Sequence, residues 1–343
     1  MIYYSSCFMS GMVELGTVLW GLSSGFSVKQ CVLLAFAYQL GNVFLYFVSE
    51  KVSAARHAAL IAATGLSVFL QFPKNGGTVL FAAATVFYIL LSTCIQLTRE
   101  SVKSQVSNLK KWKKRSFRVI GFFAAAAMGV AGTYILIACS AALLVFSFLI
   151  PNFGFDEWRK RIRLGEIKHP VCFAMITHQA HYFVYTYVLL ALVYLNYQSA
   201  LTAAVWFVIN WIPYTITEPL VQKLRLKNYY FIGVAAHLFN GIVLFFMWTL
   251  SGHGNLFGTV LLWMLTGFGG GNIFCVKKAL EKVKTYDHDS WMFSEQLGHI
   301  LGMVVCVAIV NLASYEVTML AGSAFALITI PIIIFTIKRN RKR

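Results

Sequence analysis

Phe117–Ile150 reads FRVIGFFAAAAMGVAGTYILIACSAALLVFSFLI, 34 residues with one basic side chain, Arg118, and no acid. A helix rises about 1.5 Å per residue, so a membrane core about 30 Å thick takes about 20 residues. The segment is long for one crossing and short for two. Its polar interruption is Gly132-Thr133, and a turn there predicts two helices, 117–131 and 134–150. The choice sets which side of the membrane every later loop occupies.

Charge resolves it, because cytoplasmic loops of membrane proteins carry an excess of Lys and Arg. Outward from this segment, apolar runs predict spans at 4–25, 30–49, 57–72 and 78–97, then at 171–195, 200–217, 229–250, 258–276, 291–311 and 317–337. With a cytoplasmic N-terminus and twelve crossings, the inner loops hold Lys51 and Arg56, the basic residues from Arg99 to Arg118, and those from Arg159 to Lys168. They also hold Lys223 to Lys227, Lys277 to Lys284 and the tail from Lys338 to Arg343. That is 27 of the 29 basic residues, and only Lys29 and Lys74 fall outside. Merging the two doubtful helices would invert every loop after them and destroy the bias. The expected fold is an all-α polytopic protein of the cytoplasmic (inner) membrane, with 12 transmembrane helices and both termini cytoplasmic.

Composition points the same way. The chain is 59% apolar and 12% charged, whereas a soluble domain carries about 25% charged residues. The net charge of +17 would point to nucleic acid in a soluble protein. Here the charge lies in short loops at membrane ends, where it fixes orientation and meets anionic phospholipids at the cytoplasmic face. No nucleic acid is expected as a partner, even for the run Lys110-Lys111-Trp112-Lys113-Lys114-Arg115. The seven cysteines are scattered without a CxxC pair and read as small apolar fillers. The N-terminus has no basic stretch ahead of its apolar run and reads as part of the first span.

The halves echo each other. Each has a short basic loop after its second span and a longer one after its fourth. The expected organisation is two pseudo-symmetric six-helix bundles, 1–150 and 171–343, joined by a cytoplasmic linker at 151–170, a common transporter plan. The expected assembly is a monomer.

This layout, with its basic loops 2–3 and 8–9, resembles the major facilitator superfamily over essentially the whole chain. That family's loop 2–3 reads G-x-x-x-D-R-x-G-R-R. Ser49-Glu50-Lys51-Val52-Ser53-Ala54-Ala55-Arg56 keeps an acid, a following base and a later base, without the glycine or the Asp-Arg pair. Glu218-Pro219-Leu220-Val221-Gln222-Lys223-Leu224-Arg225 departs similarly. The resemblance implies alternating-access transport, with a cavity lined mainly by helices 1, 4, 7 and 10 and partly by 2, 5, 8 and 11.

Ionisable groups deep in a membrane are costly and usually functional. Glu14 is the one acid placed deep in a span, with Ser10, Thr17 and Gly21 on its helical face. A charged carboxylate is expensive there, so Glu14 is the expected proton-coupling residue. Helix 7 carries His178, His181, Tyr182 and Tyr185 on one stripe. This predicts a polar cavity wall, with His178, His181 and Tyr185 as substrate contacts. The resembling family's cavity helices add Asn42, Asn210, Tyr214 and Asn272, and lower the weight of His237 and Asn240. Glu295 and His299 sit near the cytoplasmic end of helix 11, where headgroup contact competes with gating. Gly267-Phe268-Gly269-Gly270-Gly271 follows no strand, so it reads as close packing or a hinge, not a phosphate loop. No metal site and no cofactor is expected.

With no P-loop, the expected function is ion-driven export of a small or amphiphilic organic solute, by proton antiport, rather than enzymatic activity. The alternative is a membrane-embedded enzyme or a lipid flippase acting on a lipid-linked substrate, with a lateral cleft converging on His237.

Overall fold

The computed structural model describes residues 1–44, 52–70, 77–103, 111–149, 170–224, 228–270, 272, 275–276, 278 and 288–341. Lys74, the loop segment 104–110 and the linker as far as residue 169 lie outside them. Among the described residues the chain is helical, with no strand. The first helices are α1 (Ile2–Ser23), α2 (Val28–Phe44), α3 (Val52–Phe69), α4 (Thr78–Lys103), α5 (Lys111–Ala124) and α6 (Met128–Leu149). They are followed by α7 (Pro170–Phe183), α8 (Thr186–Tyr197), α9 (Ala200–Lys223), α10 (Tyr229–Gly252), α11 (Leu256–Gly270), α12 (His288–Leu312) and α13 (Val317–Arg341). Among the described residues, six stretches are long and apolar enough to cross a membrane: Thr78–Lys103, Trp112–Leu149, Ala200–Lys223, Tyr229–Gly252, Trp291–Leu312 and Val317–Phe335.

The 38-residue stretch Trp112–Leu149 is not one straight rod. Ala131 departs from helical geometry at φ −113°, ψ 19°, and the contacts on either side run in opposite directions. Before it, the chain climbs α1 in parallel: Arg118 lies against Gly11 and Met128 against Gly16. After it, the chain descends α3 antiparallel: Ser140 meets Ser67 at 3.2 Å, and the Ser147 carbonyl accepts from Arg56 at 3.0 Å. The fold-back therefore exists, one residue before the expected Gly132-Thr133. Trp20 Nε1 secures it by donating to Thr133 Oγ1 at 3.2 Å. A second interruption is not evident in the sequence. The span expected at 171–195 divides into α7 and α8 at Val184-Tyr185, with no Pro or Gly there. Thr186 Oγ1 donates back to the Tyr182 carbonyl at 2.5 Å, a bond that bends helices.

The residues cluster into two compact units, Met1–Arg159 with Leu190–Val205, and Lys160–Leu189 with Trp206–Arg343. In the first, α1 packs on α5, α6, α2 and α4, while α3 packs on α4 and α6. In the second, α7 packs on α12 and α13, while α10 packs on α11 and α13. The helices are inside-out relative to a soluble protein. On α10, Gly233, His237, Asn240 and Gly241 are buried, while Phe231, Leu238, Ile242 and Phe246 are exposed. Apolar faces turned outward suit lipid, and small or polar residues turned inward allow close approach and interhelical hydrogen bonds.

Glycine sets the closest approaches. A Cβ at Gly121 would overlap the Phe8 carbonyl, and one at Gly11 the Arg118 carbonyl, so α1 and α5 meet backbone to backbone. Gly121→Leu should therefore lower stability by about 1–3 kcal/mol. Gly65→Ala, where a Cβ meets nothing within 4 Å, should raise it by about 0.5–1 kcal/mol. Thermal unfolding in detergent, followed by a thiol-reactive dye on the buried cysteines, reads both; equal behaviour of the two variants would refute the close packing.

Candidate functional site

The α7 stripe forms the polar centre of the second unit. His178, His181 and Tyr185 are 3%, 1% and 0% exposed, so each needs a partner of its own inside the unit. His178 Nδ1 lies 2.9 Å from Nε2 of His237 on α10, and His237 Nδ1 lies 2.7 Å from the Gly233 carbonyl. The carbonyl only accepts, so His237 Nδ1 donates. Its Nε2 then accepts, and His178 Nδ1 is the donor.

A second chain runs from His181. The Asn240 amide satisfies its surroundings with its oxygen toward His181 Nε2 at 3.1 Å and the Gly270 N–H at 3.2 Å, and with its nitrogen donating to the Thr266 carbonyl at 3.1 Å. His181 Nε2 is then a donor, leaving Nδ1 buried without a hydrogen-bond partner. Such a group costs about 1–3 kcal/mol. Thr266 Oγ1 donates to the Trp263 carbonyl at 2.7 Å and accepts from Asn210 at 2.9 Å and from Tyr185 at 3.3 Å. A Cβ at Gly269 would overlap the Asn240 amide, and one at Gly267 the Asn210 carbonyl. The glycine-rich stretch thus serves close packing.

His178, His181 and Tyr185 were expected on the wall of an aqueous cavity. Each bonds to a same-unit neighbour, because an imidazole or phenol buried between membrane helices is paired across them. His237 and Asn240, ranked low by helix role, are the direct partners of the two α7 histidines. Their signal was present as the stripe Gly233, His237, Asn240, Gly241, Leu244 on one helical face. Asn210 is likewise committed, to the Trp263 carbonyl at 2.6 Å and to Thr266. Tyr214 stacks on Trp211 with centroids 6.1 Å apart. Asn272 donates to the Phe268 carbonyl at 2.7 Å, at the end of α11. On α12, Glu295 and His299 are half-buried, and the His299 ring lies on Phe183 at 3.9 Å between centroids. Among the described residues, no three His, Cys, Asp or Glu side chains are placed to hold a metal ion.

In the first unit Glu14 is buried, and it forms an ion pair with Arg118 of α5. Charge bias had assigned Arg118 to a cytoplasmic loop. It lies on α5 beside α1 and compensates Glu14. Tyr38 OH donates to the Ser10 carbonyl at 3.2 Å on the same side of α1. Asn42, expected as a substrate contact, is packed between α2 and α4. It donates to Gln39 at 2.9 Å and accepts from Ser92 at 2.8 Å and Gln96 at 2.7 Å, and Gln96 in turn accepts from Arg99.

No protein-family model and no curated protein sequence matches the chain. Solved structures do. A POT family transporter in complex with 5-aminolevulinic acid has a TM-score of 0.70 at 9% identity, covering 99% of this chain and 96% of that one. A bacterial metal transporter reaches 0.68 at 13%, covering 98% of each chain. The nucleoside transporter NupG reaches 0.65 at 14%, covering 98% and 97%. The chain has the fold of these transporters along its whole length, as a multi-pass membrane protein.

Two tests address the polar centres. Gly269→Ala should cost about 1–3 kcal/mol, and the double variant with Asn240→Ala should fall short of the summed losses by about 0.5–3 kcal/mol; strict additivity would separate the two residues. In the first unit, Glu14→Gln and Arg118→Met should each destabilise by about 1–3 kcal/mol. That is less than the loss for a fully buried pair, because the Arg118 side chain is 31% exposed. The double variant should regain most of the loss in the same unfolding assay, and failure to do so would mean that the two charges do not act as a pair.

Proposed function

We propose that the chain is a secondary active transporter that moves a small or amphiphilic organic solute across the cytoplasmic membrane by alternating access, as a proton-coupled exporter. The observation that carries this reading is the fold shared with membrane transporters over 98–99% of the chain. The proposed organisation is 12 transmembrane helices in two six-helix bundles, 1–150 and 171–343, with the 151–170 linker and both termini cytoplasmic. Helix pairing supports it: α1–α5, α1–α6, α3–α4 and α3–α6 recur as α7–α12, α7–α13, α10–α11 and α10–α13. A repeat of six is the unit that reproduces this pattern.

The buried polar groups fit an ion-driven carrier. Glu14 sits in one unit and the α7 histidines in the other, each at a depth where a group without a role is costly. Arg118 redefines what Glu14 can do. Its carboxylate holds Arg118 across the α1–α5 contact, so neutralising Glu14 in the transport cycle would release Arg118 and loosen α1 from α5. Tyr214 and Asn272 remain proposed substrate contacts, and Glu295 and His299 proposed gate residues. At the start of α5, Trp112 is exposed with Lys113 over its ring at 5.7 Å, which suits contact with anionic headgroups.

The test is flux in proteoliposomes with ethidium, uridine and 5-aminolevulinic acid, with and without a pH gradient. Uridine stands for the nucleoside class, and 5-aminolevulinic acid is the ligand, named for proteins of this fold. Gradient-dependent accumulation of at least one solute, abolished by a protonophore, is expected. Flux no faster than in protein-free vesicles for all three would overturn the solute-transport reading. Scrambling of a fluorescent phospholipid under the same conditions would replace it with the flippase alternative.

A further inference from the structure

His178, His181 and His237 bring three imidazoles into one core, with ring centroids 4.9 Å apart for 178 and 181, 5.1 Å for 178 and 237, and 6.3 Å for 181 and 237. None of the three pairs with a carboxylate among the described residues. Packing does not require three titratable rings here, and the charge pair of the first unit does not involve them.

The hydrogen bonds define where a proton can go. His237 spends its one N–H on the Gly233 carbonyl and its lone pair on His178. A neutral imidazole has one N–H, and that of His178 is on Nδ1, so Nε2 of His178 is left basic. His181 spends its N–H on Asn240, which leaves its Nδ1 bare. Two basic nitrogens therefore sit in one buried cluster. That of His178 belongs to a ring already bonded, through its other nitrogen, to a second imidazole.

The surroundings hold few competing charges. On α7 itself the facing titratable groups are His181 and Tyr185, and on α10 His237. On α12 they are His299 and, one turn before it, Glu295. From α13 the packing residues are Gly322, Thr329 and Ile333, and from α11 Thr266, none of which titrates.

We propose that the His178–His237 pair is a proton-binding site, loaded at Nε2 of His178, and that it couples solute movement to the proton gradient. Proton binding stands on the geometry; the coupling rests on the transporter reading. One proton adds to the Nε2 lone pair, forms one N–H bond and makes His178 an imidazolium. Its Nδ1–H bond to His237, 2.9 Å between nitrogens, becomes charge-assisted and stronger. Transfer of the Nδ1 proton across that bond moves the charge to His237 without breaking the bond to Gly233. Charge is then shared by two rings. A second proton would place two like charges about 5 Å apart, so the cluster takes one at a time.

The experiment uses the full chain, labelled with 15N-histidine, in nanodiscs. Imidazole nitrogen spectra are followed from about pH 8 to about pH 5, the range in which histidine ordinarily changes charge. At the upper end, His178 and His237 should both carry Nδ1–H with Nε2 bare. On acidification, one nitrogen, His178 Nε2, should become protonated in a single step. The step should vanish in His178→Asn, which keeps an N–H toward His237 but has no basic nitrogen, and in His237→Gln the step should move. If both Nε2 signals stay bare to the acid end, or the step survives in His178→Asn, the site is refuted. In pyranine-loaded proteoliposomes, His178→Asn should lose at least about tenfold in gradient-driven accumulation of the solute that the wild type moves, while keeping passive exchange. Wild-type accumulation by His178→Asn would refute the coupling while leaving the titration to decide proton binding. Absence of flux in the wild type itself would fail the transporter reading instead.

Discussion

Hydrocarbon offers no water to replace a lost hydrogen bond, so every polar group sunk into a membrane helix must be matched by one on a neighbouring helix. Most of this structure follows from that requirement. The matching groups are short, and the helices have to come close enough for them to meet. Asn240 can bond to His181, Thr266 and Gly270 together only because Gly269 leaves room for its amide. Asn210 reaches the Trp263 carbonyl because Gly267 lets the backbone of α9 come close. Glycine, a poor helix residue in water, is here the condition for polar pairing, and the pairing in turn fixes which helices are neighbours.

The two units meet the requirement in different ways. The first balances a negative charge with a positive one, Glu14 with Arg118. Such a pair is neutral overall and stays so only while both partners remain charged, so its chemistry is tied to the contact between α1 and α5. The second unit builds its polar centre from histidines instead of a charge pair. Its neutral histidines are matched by the choice of tautomer, each N–H directed at an acceptor and each lone pair directed at a donor where one is available. Adding a proton to the first core would break a bond. In the second it would strengthen one, the contact between His178 and His237.

Local signals made much of the fold legible. The span expected at 229–250 is α10, Tyr229–Gly252, and that expected at 317–337 is α13, Val317–Arg341. In both, an apolar run is bounded by polar residues. Loop charge called for a break within 117–150, and the helix is interrupted there at Ala131, one residue before the Gly132-Thr133 that the sequence offered. The helix α5 begins at Lys111, ahead of the expected start at 117, because lysines that leave the hydrocarbon do not have to leave the helix. Pairing was not legible. Glu14 and Arg118 are 104 residues apart, and no periodicity links them. Charge bias treats Arg118 as one more loop cation, although a long side chain at a helix end can reach an acid on the next helix. The α7 stripe was visible at helical spacing. What it faces depends on α10, and the helix roles of a resembling family ranked α10 low.

The α7 backbone determines how the protein must respond to charge on its histidines. It is clasped from two sides: Gly298 and Gly302 of α12 lie against the Ile176 and Ala180 carbonyls, and Gly322 of α13 against the His181 carbonyl and the Tyr185 ring. With the backbone held this closely, the His178 side chain has little freedom to swing a charge toward water, since a packed core admits few alternative rotamers. An imidazolium there is costly until the helices move or water enters. The break after Phe183 lies about one turn beyond His181 and about two beyond His178, and Tyr185 within it is tied to Thr266 of α11. Strain raised at the histidines is therefore transmitted along a helix that is rigid up to the break and then meets its weakest point. A cation at His178 acts on helix arrangement instead of on a single side chain, which is the property a proton site needs if binding is to change which state of a carrier is stable.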